Sequence, residues 1–191
     1  MPITFNTSNL DKQRELASHF ERLGYKIRFE SRKIPEICSS HVDVVTHKAS
    51  SVTPGVLVED VSLEVEGGDL GVQVKHRAHL LPTLSGRKAA WIVLLAQARV
   101  DEPLVDIYRG CIEGRILSRD EVPLGKHIDL RQPGQQSFDK YFWPDGVDHS
   151  LAYHKPDSLS ARWLTVFAWH RGHKLCTRDR IDTWDGKYQD S

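Results

Sequence analysis

Val56-Leu57-Val58-Glu59-Asp60-Val61-Ser62-Leu63-Glu64-Val65 is the stretch that decides how this chain folds. The three apolar residues at its start predict a strand that is buried on both faces. Glu59 and Asp60 follow at once, and we expect this strand to end in them, at the rim of the core. Two carboxylates in such a place need a basic side chain or a divalent cation to compensate their charge. The stretch therefore predicts a charged functional site beside the core.

The elements on either side of this strand alternate at first and then form a meander. Before it, the pattern predicts a strand at 3–5, a helix at 9–23, a strand at 25–29 and a helix at 43–49. After it, the pattern predicts a helix at 70–77, a strand at 88–100, an antiparallel strand at 105–109 continued at 113–116, and a helix from Ser158 or Ser160 to about His170. This order predicts an α/β fold with an elongated mixed sheet and flanking helices.

The remaining segments complete a single domain over residues 1–191. We expect residues 118–140 to be irregular, and a long irregular segment in a small domain is often functional. From Thr177 the sequence is strongly charged, and we expect a loose tail there.

Composition limits the classes of function. The chain has 26 basic and 26 acidic residues, so it lacks the positive charge that is typical of nucleic-acid binding. Its three cysteines form no disulfide framework, and its longest apolar run, around 89–98, is too short to span a bilayer. We expect a cytoplasmic protein whose partners include neither nucleic acid nor membrane.

The first predicted helix begins in a polar turn. Ser8 and Asp11 have the spacing of a capping box, and Lys12 lies in the first turn. Free backbone N–H groups at such a helix start are suited to bind an anion. Simple capping of the helix and anion binding remain open as alternatives at this point.

Five segments, in this order along the chain, resemble one family, the inosine/xanthosine triphosphate pyrophosphatases. These enzymes cleave non-canonical purine nucleoside triphosphates to the monophosphate and pyrophosphate. The segments are Thr7-Ser8-Asn9-Leu10-Asp11-Lys12 with Glu15, Ile34-Pro35-Glu36 followed by Lys48, Val56 to Leu63, Arg109-Gly110 with Gly114-Arg115-Ile116, and Phe138 to Gly146. Together they cover roughly residues 3 to 175.

The resemblance implies a two-lobed fold around a nucleotide cleft, and a homodimer. It implies that Glu36 and Asp60 hold Mg²⁺ and that Asp60 orients or deprotonates the attacking water, with Lys48 as the third catalytic residue. Positive charge along the triphosphate would come from Lys12, Lys48 and Lys75. Thr7, Ser8 and Asn9 would donate to phosphate at the first turn, and Val61 would contact the substrate beside Asp60.

Recognition of the purine requires stacking and directed hydrogen bonds. Phe138 or Trp143 would stack on the ring, although packing in the core is the alternative for both. Asp139 would fix the base edge, and Lys155 corresponds to a family lysine. A donor to the 6-oxo group would come from Arg162, or from His170 with Arg171.

The sequence also departs from the family pattern. Ser8 replaces a glycine, Val61 a small residue, and Tyr153 an acidic residue, while the Ser-His-Arg segment lacks its histidine at Ser160-Ala161-Arg162. These changes leave a second hypothesis open: a catalytically weakened sensor that binds deoxyinosine triphosphate and signals to an effector protein. Divergent relatives of this kind occur in bacterial antiphage gene clusters.

Overall fold

The computed structural model describes residues 2–68, 70–117 and 138–189. Within these residues the strands are β1 (Ile3–Asn6), β2 (Ile27–Glu30), β3 (Leu57–Val65), β4 (Lys88–Ala98), β5 (Leu104–Ile116), β6 (Phe142–Pro144) and β7 (Cys176–Asp179). The helices are α1 (Leu10–Arg22), α2 (His41–Ser50), α3 (Val74–Arg77) and α4 (Ala161–His170), with 3₁₀ turns at Ala78–Leu84 and Asp157–Leu159. The predicted α/β fold with a mixed sheet is confirmed.

The seven described strands form one sheet in the order β2-β1-β3-β4-β5-β6, with β7 added to the outer edge of β5. β1 is parallel to both neighbours, whereas the strands from β3 onward pair antiparallel. β1 and β3 meet at a single pair, Phe5 with Leu57, although β3 pairs with β4 along its whole length. The edge of β3 beyond Leu57 is therefore not covered by β1, and a cleft opens there.

Glu59 and Asp60 lie in the interior of β3, and the expectation that the strand ends in them is wrong. The strand continues to Val65, and the two acids are only 6% and 7% exposed. The strand continues because its pairing with β4 does not depend on β1. The acids border the cleft because β1, and not β3, ends near this point.

The core consists of three groups of buried side chains. One group packs β3, β4 and β6 under the 3₁₀ turn at Ala78–Leu84, around Leu63, Trp91 and Phe142. A second lies beneath α2, around Val45, Val58 and Ile92. The third joins α1 and α4 to the sheet through Phe5, Leu16, Phe20, Leu57, Leu95, Tyr108 and Val166.

Gly110 allows α4 to pack directly on β5. A Cβ atom at this position would collide with the carbonyl oxygen of Ala161 and the backbone nitrogen of Thr165. The side chains at the start of α4, including Arg162, are thereby brought to the sheet. The Arg-Gly element of the sequence thus has a packing role.

Several predicted boundaries differ from the structure. Asn9, and not Ser8, caps α1, because its side-chain oxygen accepts from the backbone nitrogens of Asp11 and Lys12 at 2.9 and 3.1 Å. The helix expected at 70–77 is the single turn α3 followed by a 3₁₀ segment. Most of the segment that we expected to be irregular, residues 118–137, lies outside the described residues.

The segment from Thr177, which we expected to be loose, is attached to the domain as far as Gln189. β7 pairs with β5 from Leu104 to Ile107, and the chain then returns to the loop that precedes α2. No helix in the described ranges has the length and apolar character needed to cross a membrane.

Candidate functional site

A cleft of about 470 Å³ opens where β1 and β3 separate. Its walls come from the β1–α1 turn, the loop after β2, α2, the middle of β3 and α3. The predicted site residues that line it are Thr7, Ser8, Asn9, Lys12, Glu36, Lys48, Asp60, Val61, Lys75 and Phe138. The structure therefore brings together ten residues that we selected from well-separated parts of the sequence.

Lys48 lies between the two acids that we predicted as metal ligands. Its Nζ donates to Glu36 Oε1 at 2.8 Å and to Asp60 Oδ1 at 2.5 Å. Glu36 comes from the loop before α2, Lys48 from the last turn of α2, and Asp60 from β3. Because both carboxylates contact one ammonium group, they converge on one small volume of the cleft.

Burial and pairing have opposite effects on the ionisation of these three groups. Burial alone raises the pKa of Asp60 and of Glu36, but the ammonium of Lys48, together with His41 at Asp60 and Lys75 at Glu36, outweighs it, so that both carboxyl pKa values are lowered. Burial alone lowers the pKa of Lys48, but Asp60 and Glu36 outweigh it and raise that pKa. All three groups are therefore charged at neutral pH.

Two further lysines border this cluster. Lys75 Nζ lies 3.7 Å from Glu36 Oε2, and Lys12 Nζ lies 2.9 Å from Glu59 Oε1. Lys12 lies in the first turn of α1, the helix that Asn9 caps, and the Gln13 side chain donates to the carbonyl oxygen of Thr7 at 2.8 Å. The turn is thus fixed in place beside a row of ammonium groups.

The donor set of this cluster fits Mg²⁺, which prefers carboxylate, phosphate and water oxygens. Asp60 Oδ2 is buried and, within the described residues, accepts no hydrogen bond, although His41 Nε2 lies 3.2 Å away. Among the described residues, no three His, Cys, Asp or Glu side chains are grouped to hold a metal ion. A Mg²⁺ ion held by Glu36 and Asp60 would therefore take its other ligands from substrate and water.

Behind the cleft, Arg162 is fully buried and connects three elements. Its Nε and Nη2 donate to the two oxygens of Glu59 at 2.8 and 3.1 Å, and its Nη1 contacts Glu15 Oε2. Burial alone would raise the pKa of Glu15, but Arg162 and its neighbours lower that pKa to about 2. Burial alone would lower the pKa of Arg162, and the two carboxylates raise it instead.

Lys155 and Asp139, which we also predicted to recognise the purine, do not line the cleft, and Lys155 lies near Glu15, the partner of Arg162. Lys155 Nζ is 3.4 Å from Asp139 Oδ2, 3.9 Å from Glu15 Oε1 and 4.9 Å from the Trp91 ring centroid.

Phe138 reaches the cleft, but it is only 3% exposed and packs edge-on against Trp91. Core packing, one of the alternatives for Phe138, is thus observed.

His170 and Arg171, one of the two alternatives that we predicted for the donor to the 6-oxo group, do not line the cleft. They lie at the far end of α4 from Arg162, where His170 Nδ1 is 2.9 Å from the Tyr25 hydroxyl. A helix rises about 1.5 Å per residue, so the eight-residue step from Arg162 carries His170 away from the sheet edge that forms the site.

Sequence reasoning missed two cations of the cleft, Arg32 and Lys33. Both are exposed and line the cleft, and neither has an ion-pair partner in the described part of the chain. Asn6 holds their loop, because it accepts from the Arg32 backbone nitrogen at 2.7 Å and donates to the Arg32 carbonyl at 3.1 Å. The signal was a basic pair directly before Ile34-Pro35-Glu36.

Comparison of the sequence with known protein families agrees with a charged cleft in a mixed α/β fold. The Ham1 family model matches residues 3–163, and the chain belongs to that family. It is the family of inosine triphosphatases that remove non-standard purine nucleoside triphosphates. No curated protein shows a significant match to this chain.

Proposed function

We propose that this protein hydrolyses a deaminated purine nucleoside triphosphate, such as inosine, deoxyinosine or xanthosine triphosphate, to the monophosphate and pyrophosphate. The convergence of Glu36, Lys48 and Asp60 in a cation-lined cleft carries this proposal. Family membership supports the nucleotide as substrate class.

The arrangement of the sheet supports one orientation of the nucleotide. Phe138 lies towards the β6 side of the cleft, whereas Arg32 and Lys33 follow β2 at the opposite edge of the sheet. The base would lie against Phe138, and the triphosphate would extend past Lys12 and Lys48 to the exposed cations Arg32 and Lys33.

Hydrolysis would proceed by attack of water on the α-phosphorus. The new P–O bond forms as the bond to the α–β bridging oxygen breaks, and pyrophosphate leaves. Asp60, which stays ionised despite its burial because Lys48 and His41 lower its pKa, would accept the proton of the water. Bound Mg²⁺ would supply charge neutralisation at the phosphate oxygens.

The ammonium groups would act mainly by electrostatic stabilisation. Lys48 lies close enough to Asp60 to contact both this general base and the reacting phosphate. Burial would strengthen the interaction of Lys48 with the phosphate. Lys12 and Lys75 would hold the phosphate chain on either side, with Thr7, Ser8 and Asn9 at the turn.

A second candidate function is that of a sensor that binds deoxyinosine triphosphate with little turnover and passes the signal to an effector protein. Val61 favours it, because this side chain packs against the core and offers no hydrogen-bonding group next to Asp60. The buried Arg162, already paired with two carboxylates, also fits a site with altered base recognition.

One paired experiment separates the two candidates. Pyrophosphate release and calorimetric binding are measured with Mg²⁺ for inosine, deoxyinosine, xanthosine, adenosine and guanosine triphosphates. Release from the deaminated purines supports the enzyme, binding without release supports the sensor, and neither binding nor release contradicts both. The predicted homodimer is checked on the same samples by light scattering.

A further inference from the structure

We propose that the C-terminal strap, residues 181–189, is a positioning element that holds Glu36 in the site. This inference rests on the proposed function, because it assigns to Glu36 the role described above. The strap lies beyond the end of the Ham1 match at residue 163.

The strap is bound to the backbone of Glu36 and of the two residues that follow it. The backbone nitrogen of Gln189 donates to the Glu36 carbonyl at 2.8 Å, and the Gln189 side chain donates to the Ile37 carbonyl at 3.0 Å. The backbone nitrogen of Cys38 donates to the Lys187 carbonyl at 2.8 Å, and Ile37 pairs with Tyr188. Three consecutive residues of the loop are therefore fixed by the strap.

The loop needs this support because it has no strand or helix of its own. Glu36 lies between β2 and α2, in a segment without regular structure apart from the bridge at Ile37. Its side chain contacts two lysines, and the closer of them, Lys48, also contacts Asp60. Without the strap, the position of the Glu36 carboxylate would depend on its contacts with Lys48 and Lys75 and no longer on a fixed backbone.

The strap is anchored at its start and folded within itself. The backbone nitrogen of Ile181 donates to the Ser50 hydroxyl at 2.9 Å, at the end of α2. The Trp184 indole donates to the Lys187 carbonyl at 3.0 Å and packs beside Gly186. The strap thus bridges the end of α2 to the loop before α2, which places Glu36 and Lys48 in one connected frame.

The test uses a chain that ends at Arg180, which keeps β7 and the bond from the Arg180 side chain to the Ser50 carbonyl. The matched control ends at Gln189 and keeps the whole strap. A third variant, Gln189→Ala, removes only the side-chain bond to Ile37. Amide exchange at Cys38, the Mg²⁺ concentration for half-maximal pyrophosphate release, kcat and the thermal midpoint are measured for each.

We expect faster exchange at the Cys38 amide and about a tenfold higher Mg²⁺ requirement for the chain ending at Arg180, as for loss of outer support at a metal site. We expect kcat at saturating Mg²⁺ to be largely retained, and Gln189→Ala to show a smaller change in the same direction. The control should behave as the full chain.

Unchanged Mg²⁺ dependence in both variants, with an active full chain, overturns the inference while the proposed function stands. Equal losses of kcat and thermal midpoint, without a shift in Mg²⁺ dependence, also overturn it, because they show a role in folding alone. If the chain ending at Arg180 does not fold, the Mg²⁺ dependence of Gln189→Ala is the deciding measurement: a higher requirement supports the inference, and an unchanged one overturns it. A full chain that neither binds nor hydrolyses the nucleotides removes the proposed function and this inference together.

Discussion

Arg162 and Glu59 form a buried two-point ion pair across 103 residues of sequence, with N–O distances of 2.8 and 3.1 Å. Because the pair is shielded from solvent, loss of one partner leaves an uncompensated charge in the interior.

Arg162→Met should lower the free energy of unfolding by about 3–5 kcal/mol, because Glu59 and Glu15 would remain buried without their guanidinium. Urea denaturation at neutral pH measures the change. Arg14→Ala is the matched control, since Arg14 and Asp11 form an exposed pair and solvent screens it. Equal effects of the two changes would contradict the assigned role of Arg162.

Stability should fall as the pH drops from about 5 towards 2. The pKa of Glu15 is about 2 in the folded chain, against an ordinary value of 4.5, so the folded state resists protonation that the unfolded state accepts. The contribution of Glu15 is therefore complete above pH 4.5 and is lost as the pH approaches 2, with a total of about 3 kcal/mol. Urea titrations at several pH values should show a shallower pH slope for Glu15→Gln; an unchanged slope would exclude Glu15 as a source.

Lys48→Met should reduce kcat of the proposed reaction by about 100-fold or more, because it removes the largely buried cation that contacts both Glu36 and Asp60. It should also raise the pKa values of Glu36 and Asp60 by removing their principal compensating charge. Steady-state kinetics and carboxyl titration by NMR measure the two effects. Lys26→Ala, a change at an exposed lysine outside the cleft, serves as the control.

The double change Arg32→Ala and Lys33→Ala should raise KM for the triphosphate by about tenfold or more, since in the proposed orientation each of these exposed cations would make a charge-assisted bond to phosphate. Binding of the monophosphate product should change much less, because it lacks the terminal phosphates. The comparison is made with Arg28→Ala, whose side chain lies on β2 outside this cleft. An equal loss for triphosphate and monophosphate would contradict the proposed orientation.

Sequence reasoning found the cleft because its residues come from short local patterns. The polar turn before α1, the Ile-Pro-Glu segment and the acids of β3 are each visible in a window of a few residues. The resemblance joined them, and the structure places Glu36 and Asp60 on the same ammonium group.

The parts that sequence reasoning missed depend on long-range geometry. No local pattern shows that Glu59 is neutralised by Arg162, or that α4 runs so that His170 contacts Tyr25 instead of the cleft. The capping of α1 by Asn9 was missed because Ser8 is equally suited to that role by residue type. The tail was expected to be loose from its charge, but its backbone pairs with β5 and with the loop before α2.

The single pair between Phe5 and Leu57 has a mechanical consequence. Next to the cleft, α1 is attached to β3 by the ion pair between Lys12 and Glu59, where backbone hydrogen bonds between strands would otherwise form. A polyanion that enters the cleft would compete with Glu59 for the ammonium group of Lys12. Binding of the polyanion and the attachment of α1 to β3 would therefore be coupled. The unfolding temperature should then depend on nucleotide and on ionic strength through a shared contact.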